Sequence, residues 1–213
     1  MRIIKINSAP NQPPEKRILG AEETVAMSAT ERIIHLIELN RIMTTIKGGR
    51  SEQILAAAAV GQPELDLGRM LGLLNRHGVQ YVVIGGYAVA FHGYIRATRD
   101  FDIFYPQTTE NATKILAALQ EYGFTTQLVV TVEDLLQTNI NYKIGRPPNQ
   151  LDLNPSPKGI SWAEASSKAV PGEVLGQSVR FLDFDSLIQS KTAAGRPGDL
   201  VDVENLMRII GDI

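Results

Sequence analysis

YVVIGGYAVAFHGYIRATRDFDIFY, residues 81–105, decides how this chain is read. An apolar run enters a Gly85-Gly86 turn, and a short helical stretch follows. Arg96-x-Thr98 then leads into a second apolar run carrying Asp100 and Asp102. In a strand, residues i and i+2 share a face, so the two aspartates project side by side. Two like charges held together are costly unless a cation or hydrogen bonds compensate them. The pair therefore suits a divalent metal. A Gly-Gly turn that opens a helix is a place where backbone N–H groups face phosphate. The bland alternative is a solvated strand edge with Phe101 and Ile103 inward; the preceding Gly-Gly and Arg96-x-Thr98 weigh against it.

Composition sets the limits. The 213 residues suffice for one core with an appendage. The net charge of -2 gives no global basic field for nucleic acid. With no cysteine there is neither a disulfide framework nor thiolate chemistry. No apolar run is long enough to span a membrane, and the N-terminus has no signal-peptide core. The expected location is the cytoplasm, and the Asn111-Ala-Thr113 sequon is expected to be accidental.

Two segments are expected. Residues 1–62 read as an N-terminal arm and helical extension, and residues 63–213 as the main domain. The first stretch, to about residue 27, is a Pro-rich tail. Ser28-Ala-Thr-Glu31 resembles a capping box, with Ile33, Ile34, Ile37, Met43 and Ile46 at helical spacing behind it. Gly48-Gly49 ends that helix, and Ser51 to Val60 reads as a short Ala-rich one. Beyond residue 63, Leu67, Met70, Leu71 and Leu74 mark a helix closed by Gly78. Strands are expected at 79–84, 101–105, 125–130 and 179–182. A helix runs from Thr109 to Tyr122 before Gly123, another spans 132–138, and two more close the chain at 185–194 and 199–210. Residues 139–144 and 150–153 read as a hairpin around Gly145-Arg-Pro-Pro148. The layout is α+β (α/β mixed): a small mixed sheet flanked by helices.

Other residues carry possible chemistry. Asp152 alternates with Leu151 and Leu153; it joins the acidic pair if its strand lies beside 101–105, and would then bind metal or take a proton. Otherwise it is a solvated residue. Lys191 falls four and three residues after Leu187 and Ile188, on or beside an inward helix face, where it needs an anion. Asp185 reads as an N-cap, and Asp199 and Asp202 as carboxylates of a first helical turn. His92 reads as a packing or turn residue, and Trp162 as a core or hinge aromatic. His35 and His77 lack ligand spacing.

Taken together, Gly85-Gly86, Arg96-x-Thr98-x-Asp100-x-Asp102 and Asp152 resemble the nucleotidyltransferase superfamily with the DNA polymerase β-like fold. The resemblance is nearest to the minimal and AbiEii-type (toxin–antitoxin) nucleotidyltransferases. The tail Lys191-Thr-Ala-Ala-Gly-Arg196-Pro-Gly-Asp199-Leu-Val-Asp202 is similar to the ending K-x-x-A-x-R-x-K-D-x-x-D of such proteins. It covers about residues 67–210. The resemblance implies that Asp100, Asp102 and Asp152 hold Mg²⁺ (or Mn²⁺), and that these three and Lys191 carry catalysis. It implies nucleotide contacts from Gly85, Gly86, Tyr87, Arg96, Thr98 and Lys191. Two departures stand out: Tyr87 follows Gly86 where many members have Ser, and Gly198 replaces the second tail Lys.

The function expected from this resemblance is Mg-dependent transfer of NMP from an NTP to a hydroxyl. The acceptor is an RNA end, a protein side chain or a small molecule, and a toxin–antitoxin setting with a cognate partner protein is one expectation. An RNA acceptor predicts a basic groove from Arg96, Arg99, Lys143, Arg146, Lys158 and Arg196. A small-molecule acceptor predicts an aromatic cleft with Tyr87, Tyr94 and Tyr142. The alternative is a catalytically silent nucleotidyltransferase-fold module that binds a partner protein through residues 1–62.

Overall fold

The computed structural model describes residues 24, 26–47, 65–124, 130–146 and 149–211. Most of the expected tail, the Ser51–Val60 helix, residues 125–129 of an expected strand and the Pro147-Pro148 turn lie outside the described residues.

Local sequence signals set most boundaries. Helix α1, Ala29–Lys47, begins at a capping box in which Ser28 N donates to Glu31 Oε2 at 2.7 Å and Glu31 N to Ser28 Oγ at 3.3 Å. Helix α2, Leu67–Arg76, is capped by Asp66 and buries Leu67, Met70, Leu71, Leu73 and Leu74. After β1 (Val82–Val83) come α3 (Gly85–Phe91) and β2 (Phe101–Phe104). Helix α4, Thr109–Tyr122, starts under Thr108 and stops at Gly123, whose φ of 116° suits glycine. One helical turn, α5 (Val132–Leu135), precedes the hairpin β3 (Tyr142–Arg146) and β4 (Asn149–Asn154). Then follow α6 (Trp162–Lys168), β5 (Val170–Val174), β6 (Gln177–Phe181), α7 (Phe184–Ala194) and α8 (Pro197–Gly211).

The six strands form one mixed sheet in the order β3-β4-β2-β1-β6-β5. Strand β2 pairs antiparallel with β1 and parallel with β4. Phe101, Ile103, Val83 and Phe181 lie at the centre of the core, with Leu71, Leu74 and Ile115 from the helices. Ile33 and Leu36 of α1 are buried in the same core. The mixed α/β class is therefore as expected: a small mixed sheet flanked by helices.

Several expectations need correction. Of the expected stripe on α1, Ile33 is buried, but Ile34 is exposed and Ile37 only half-buried; Leu36 joins Ile33 on the inward face. The ladder at 79–84 is confined to Val82–Val83. Asp183, not Asp185, caps α7, accepting Ser186 N–H at 3.1 Å. Two elements went unread. Strand β5 contains Pro171 and Gly172, which argue against a strand; it is tolerated because β5 is a sheet edge. Its two-residue turn to β6 places Leu175 at φ 51°, a position usually given to Asn or Gly. Helix α6 opens on a capping box between Ser161 and Glu164. Trp162, at its start, is half-buried with its ring edge-on to Phe104.

Candidate active site

The site lies where the end of β1, the start of β2 and the middle of β4 converge. Asp102 of β2 and Asp152 of β4 are direct partners in the parallel register. Neighbours in register project to the same face, so the crossover brings together carboxylates 50 residues apart. Asp100, two residues before Asp102, joins them. One oxygen from each of the three lies within 4.8 Å of the others.

This packing fixes the acid–base character of Asp102. Burial pushes its carboxyl up to about 7, and the charges of Asp100 and Asp152 add to the rise. Lys191 and Lys143 oppose it without cancelling it. Three hard oxygen donors around a carboxyl that resists ionisation are what a divalent cation would relieve. The set fits Mg²⁺ or Mn²⁺, which prefer carboxylate oxygens.

The glycines fit this geometry closely. Gly85 has φ of 65°, and a Cβ there would lie 2.0 Å from Asp102 Oδ2. At Gly86 a Cβ would lie 2.6 Å from Thr98 Oγ1. The backbone thus passes directly against the acidic cluster, and no other residue type leaves that space. Thr98 Oγ1 in turn donates to Asp100 Oδ1 at 3.1 Å.

Tyr87 points elsewhere. Its ring is buried edge-on to Phe101. Burial, with the nearby Asp100 charge, raises that phenol to about 12. The expected aromatic cleft is not built from it. Tyr142 directs its hydroxyl to Asp134 O.

Lys191, Arg96 and Arg196 among the expected cations are engaged within the chain. Lys191, 7% exposed, lies 2.9 Å from Asp199 Oδ1 and 2.7 Å from Asp202 Oδ2. Arg96 grips Asp202 through Nε at 2.5 Å and Nη2 at 2.6 Å. Arg196 holds Asp199 through Nε at 2.6 Å. Burial alone would raise Asp199, but the bonds from Arg196 and Lys191 outweigh it and hold the carboxyl below its usual range. Asp199 and Asp202 are therefore counter-ions of a buried network, where capping was the expectation. Lys191 does lie on the inward face, as its spacing required.

Two partners of Asp152 were missed. Lys143 Nζ lies 2.7 Å from Asp152 Oδ2, and Gln150 Nε2 donates to Oδ1 at 2.6 Å. The hairpin register pairs Lys143 with Asp152 directly, so the hairpin itself carried the signal for the lysine. His92 sits apart from the site, its Nε2 2.7 Å from Leu182 O. Asn111 of the sequon is buried, accepting Gln80 N–H and donating to Gln80 O. No helix among the described residues is long and apolar enough to cross a membrane.

Comparison with known proteins gives one family. Residues 66–191 match the aminoglycoside-2''-adenylyltransferase family, a span that holds the glycines, all three carboxylates and Lys191. The match supports the nucleotidyltransferase superfamily and nucleotidyl transfer as the general activity. An antigenic nucleotidyltransferase-like protein from Paracoccidioides brasiliensis resembles the chain with a TM-score of 0.45 and 15% identity; the match covers 68% of this chain and 73% of that one. No curated protein matches.

Proposed function

Because the chain belongs to the aminoglycoside-2''-adenylyltransferase family, we propose that it transfers a nucleoside monophosphate from an NTP to a hydroxyl of a small molecule. ATP is the donor that the family's description favours. The observation that carries this reading is the register of Asp102 beside Asp152, with Asp100 and the Gly85-Gly86 backbone against them.

The residues divide the work as follows. Asp100 and Asp102 would hold the divalent cation, which when bound would supply charge neutralisation to the triphosphate. Gly85 and Gly86 keep the approach to the phosphates free of side chains. Asp152, oriented by Gln150 and Lys143, accepts the proton of the acceptor hydroxyl. The hydroxyl oxygen forms a bond to the α-phosphorus, the bond from that phosphorus to the bridging oxygen breaks, and pyrophosphate leaves. Positioning and fixed charge supply most of the rate in such a transfer. Lys191 and Arg196 form the positive side of the site, and Arg96 and Thr98 hold its framework.

One observation favours a second reading. Lys191 and both oxygens of Asp152 already have partners within the chain. A silent nucleotidyltransferase-fold module that binds a partner protein would show the same satisfaction. An RNA end, a protein side chain and a toxin–antitoxin partner are the other acceptor settings.

The test is Mg²⁺-dependent pyrophosphate release with each NTP, using amino sugars, total RNA or no acceptor, beside Asp100→Asn and Asp102→Asn. We expect ATP-dependent release with an amino sugar that both substitutions abolish. Release stimulated by RNA would reassign the acceptor. No release and no ATP binding under any condition would leave the silent module.

A further inference from the structure

We propose that Asn40 is a positioning residue for the cation ligand Asp100, acting through Thr98. The inference rests on the reading of Asp100 as a metal ligand and deepens it. Asn40 belongs to α1, the segment read from sequence as an extension of unassigned role, and it is 5% exposed. Its Oδ1 accepts the Thr98 backbone N–H at 3.0 Å, across 58 residues of sequence. Thr98 Oγ1 then donates to Asp100 Oδ1 at 3.1 Å.

Thr98 is held from three sides. Gly86 of α3 packs so closely that a Cβ there would lie 2.6 Å from the Thr98 hydroxyl. The Asn40 amide fixes its backbone, and Asp100 takes its hydroxyl. The segment at 94–100 has no helix or strand to hold it. Its geometry therefore depends on such side-chain bonds. Ile33 and Leu36 anchor α1 in the core, and Arg32 donates to Phe91 O at 3.1 Å and 2.7 Å. The amide is thus presented from a fixed helix. Partners of this kind orient metal ligands, and losing one typically costs 10–100-fold in metal affinity. Residues 29–47 are, on this account, part of the cation site's support.

The test measures Mn²⁺ affinity of the full chain by electron paramagnetic resonance, without nucleotide, with Asp100→Asn as the reference for a lost ligand. Asn40→Leu keeps the volume and deletes the acceptor; we expect affinity to fall about tenfold. Asn40→Asp restores an acceptor for the Thr98 N–H and should recover affinity to within a few-fold of the parent. Thr98→Val should weaken binding as Asn40→Leu does, and the double variant should be little worse than either single one. Thr98→Ser should bind normally.

A folded Asn40→Leu chain with parental affinity overturns the proposal, and so does Asn40→Asp as weak as Asn40→Leu. If Asn40→Leu fails to fold, unchanged affinity in Thr98→Val breaks the chain of contacts and overturns it equally. A parent chain that binds no Mn²⁺ also overturns it. A parent that binds Mn²⁺ but transfers no nucleotide sinks the transferase reading and leaves this inference standing.

Discussion

Lys143 stands directly across the β3–β4 hairpin from Asp152, its Nζ 2.7 Å from Asp152 Oδ2. The hydrogen bond to Asp152 raises the lysine above its usual range. The ammonium thus sits where it competes with a metal for one oxygen of the acidic trio. Its side chain is more than half exposed, so the pair contributes only about 0–1 kcal/mol to stability. Lys143→Met should therefore leave the melting temperature nearly unchanged while strengthening Mn²⁺ binding several-fold, or about 1 kcal/mol. Titration of the variant decides it; weaker binding would mean that the lysine supports the cation site.

Asp102 links stability to pH. Its folded carboxyl titrates at about 7, well above the unfolded value. The contribution of its neutral form is complete below about pH 4 and is lost as pH rises through 7. Without metal, the chain should lose roughly 2–4 kcal/mol from this group between about pH 5 and 8. Asp102→Asn should remove that slope, and should also remove any stabilisation by Mg²⁺. Thermal melts in chelator across this range give the answer; parallel curves for parent and variant would contradict it.

Gly85→Ala should damage fold and site together. The positive φ costs about 1 kcal/mol for alanine. The new Cβ must also displace the Asp102 carboxylate, only 2.0 Å away. We expect a lower denaturation midpoint and at least about a tenfold loss of Mn²⁺ affinity. A variant with normal affinity would show that Asp102 is free to move aside without consequence.

Asp202→Ala removes a fully buried carboxylate from between Arg96 and Lys191. Breaking a buried ion pair from one side leaves uncompensated charge and costs about 3–5 kcal/mol. Urea unfolding should show a loss of that order. A loss below about 1 kcal/mol would mean that Asp199 alone suffices for Lys191.

The trio was legible because each step is short-range. Asp100 and Asp102 obey the strand period, and the hairpin signal around Gly145 placed Asp152 on a strand of its own. Only the adjacency of β2 and β4 required the structure. Helix α4 was legible for the same reason, as Gly123 closes it. What was hidden depends on contacts between distant segments. Lys191 finds Asp199 and Asp202 across the α7–α8 junction, and Asn40 meets Thr98 from a helix far earlier in the chain. Strand β5 was masked by Pro171 and Gly172, whose cost is absorbed only because β5 ends the sheet. The capping box of α6, Ser161-Trp-Ala-Glu164, was written in the sequence, but its helix is only seven residues long.

The network around Asp202 also orders the molecule in time. A ribosome makes Asp100, Asp102 and Asp152 before it makes Asp199 and Asp202. Arg96 and Lys191 therefore emerge ahead of the counter-charges that bury them. Without α8, neither cation has the carboxylates that hold it in the folded chain. A domain folds as a unit, so the site's charge arrangement is complete only in a chain long enough to include α8, and a chain truncated before Asp199 would leave Lys191 without either of its carboxylates.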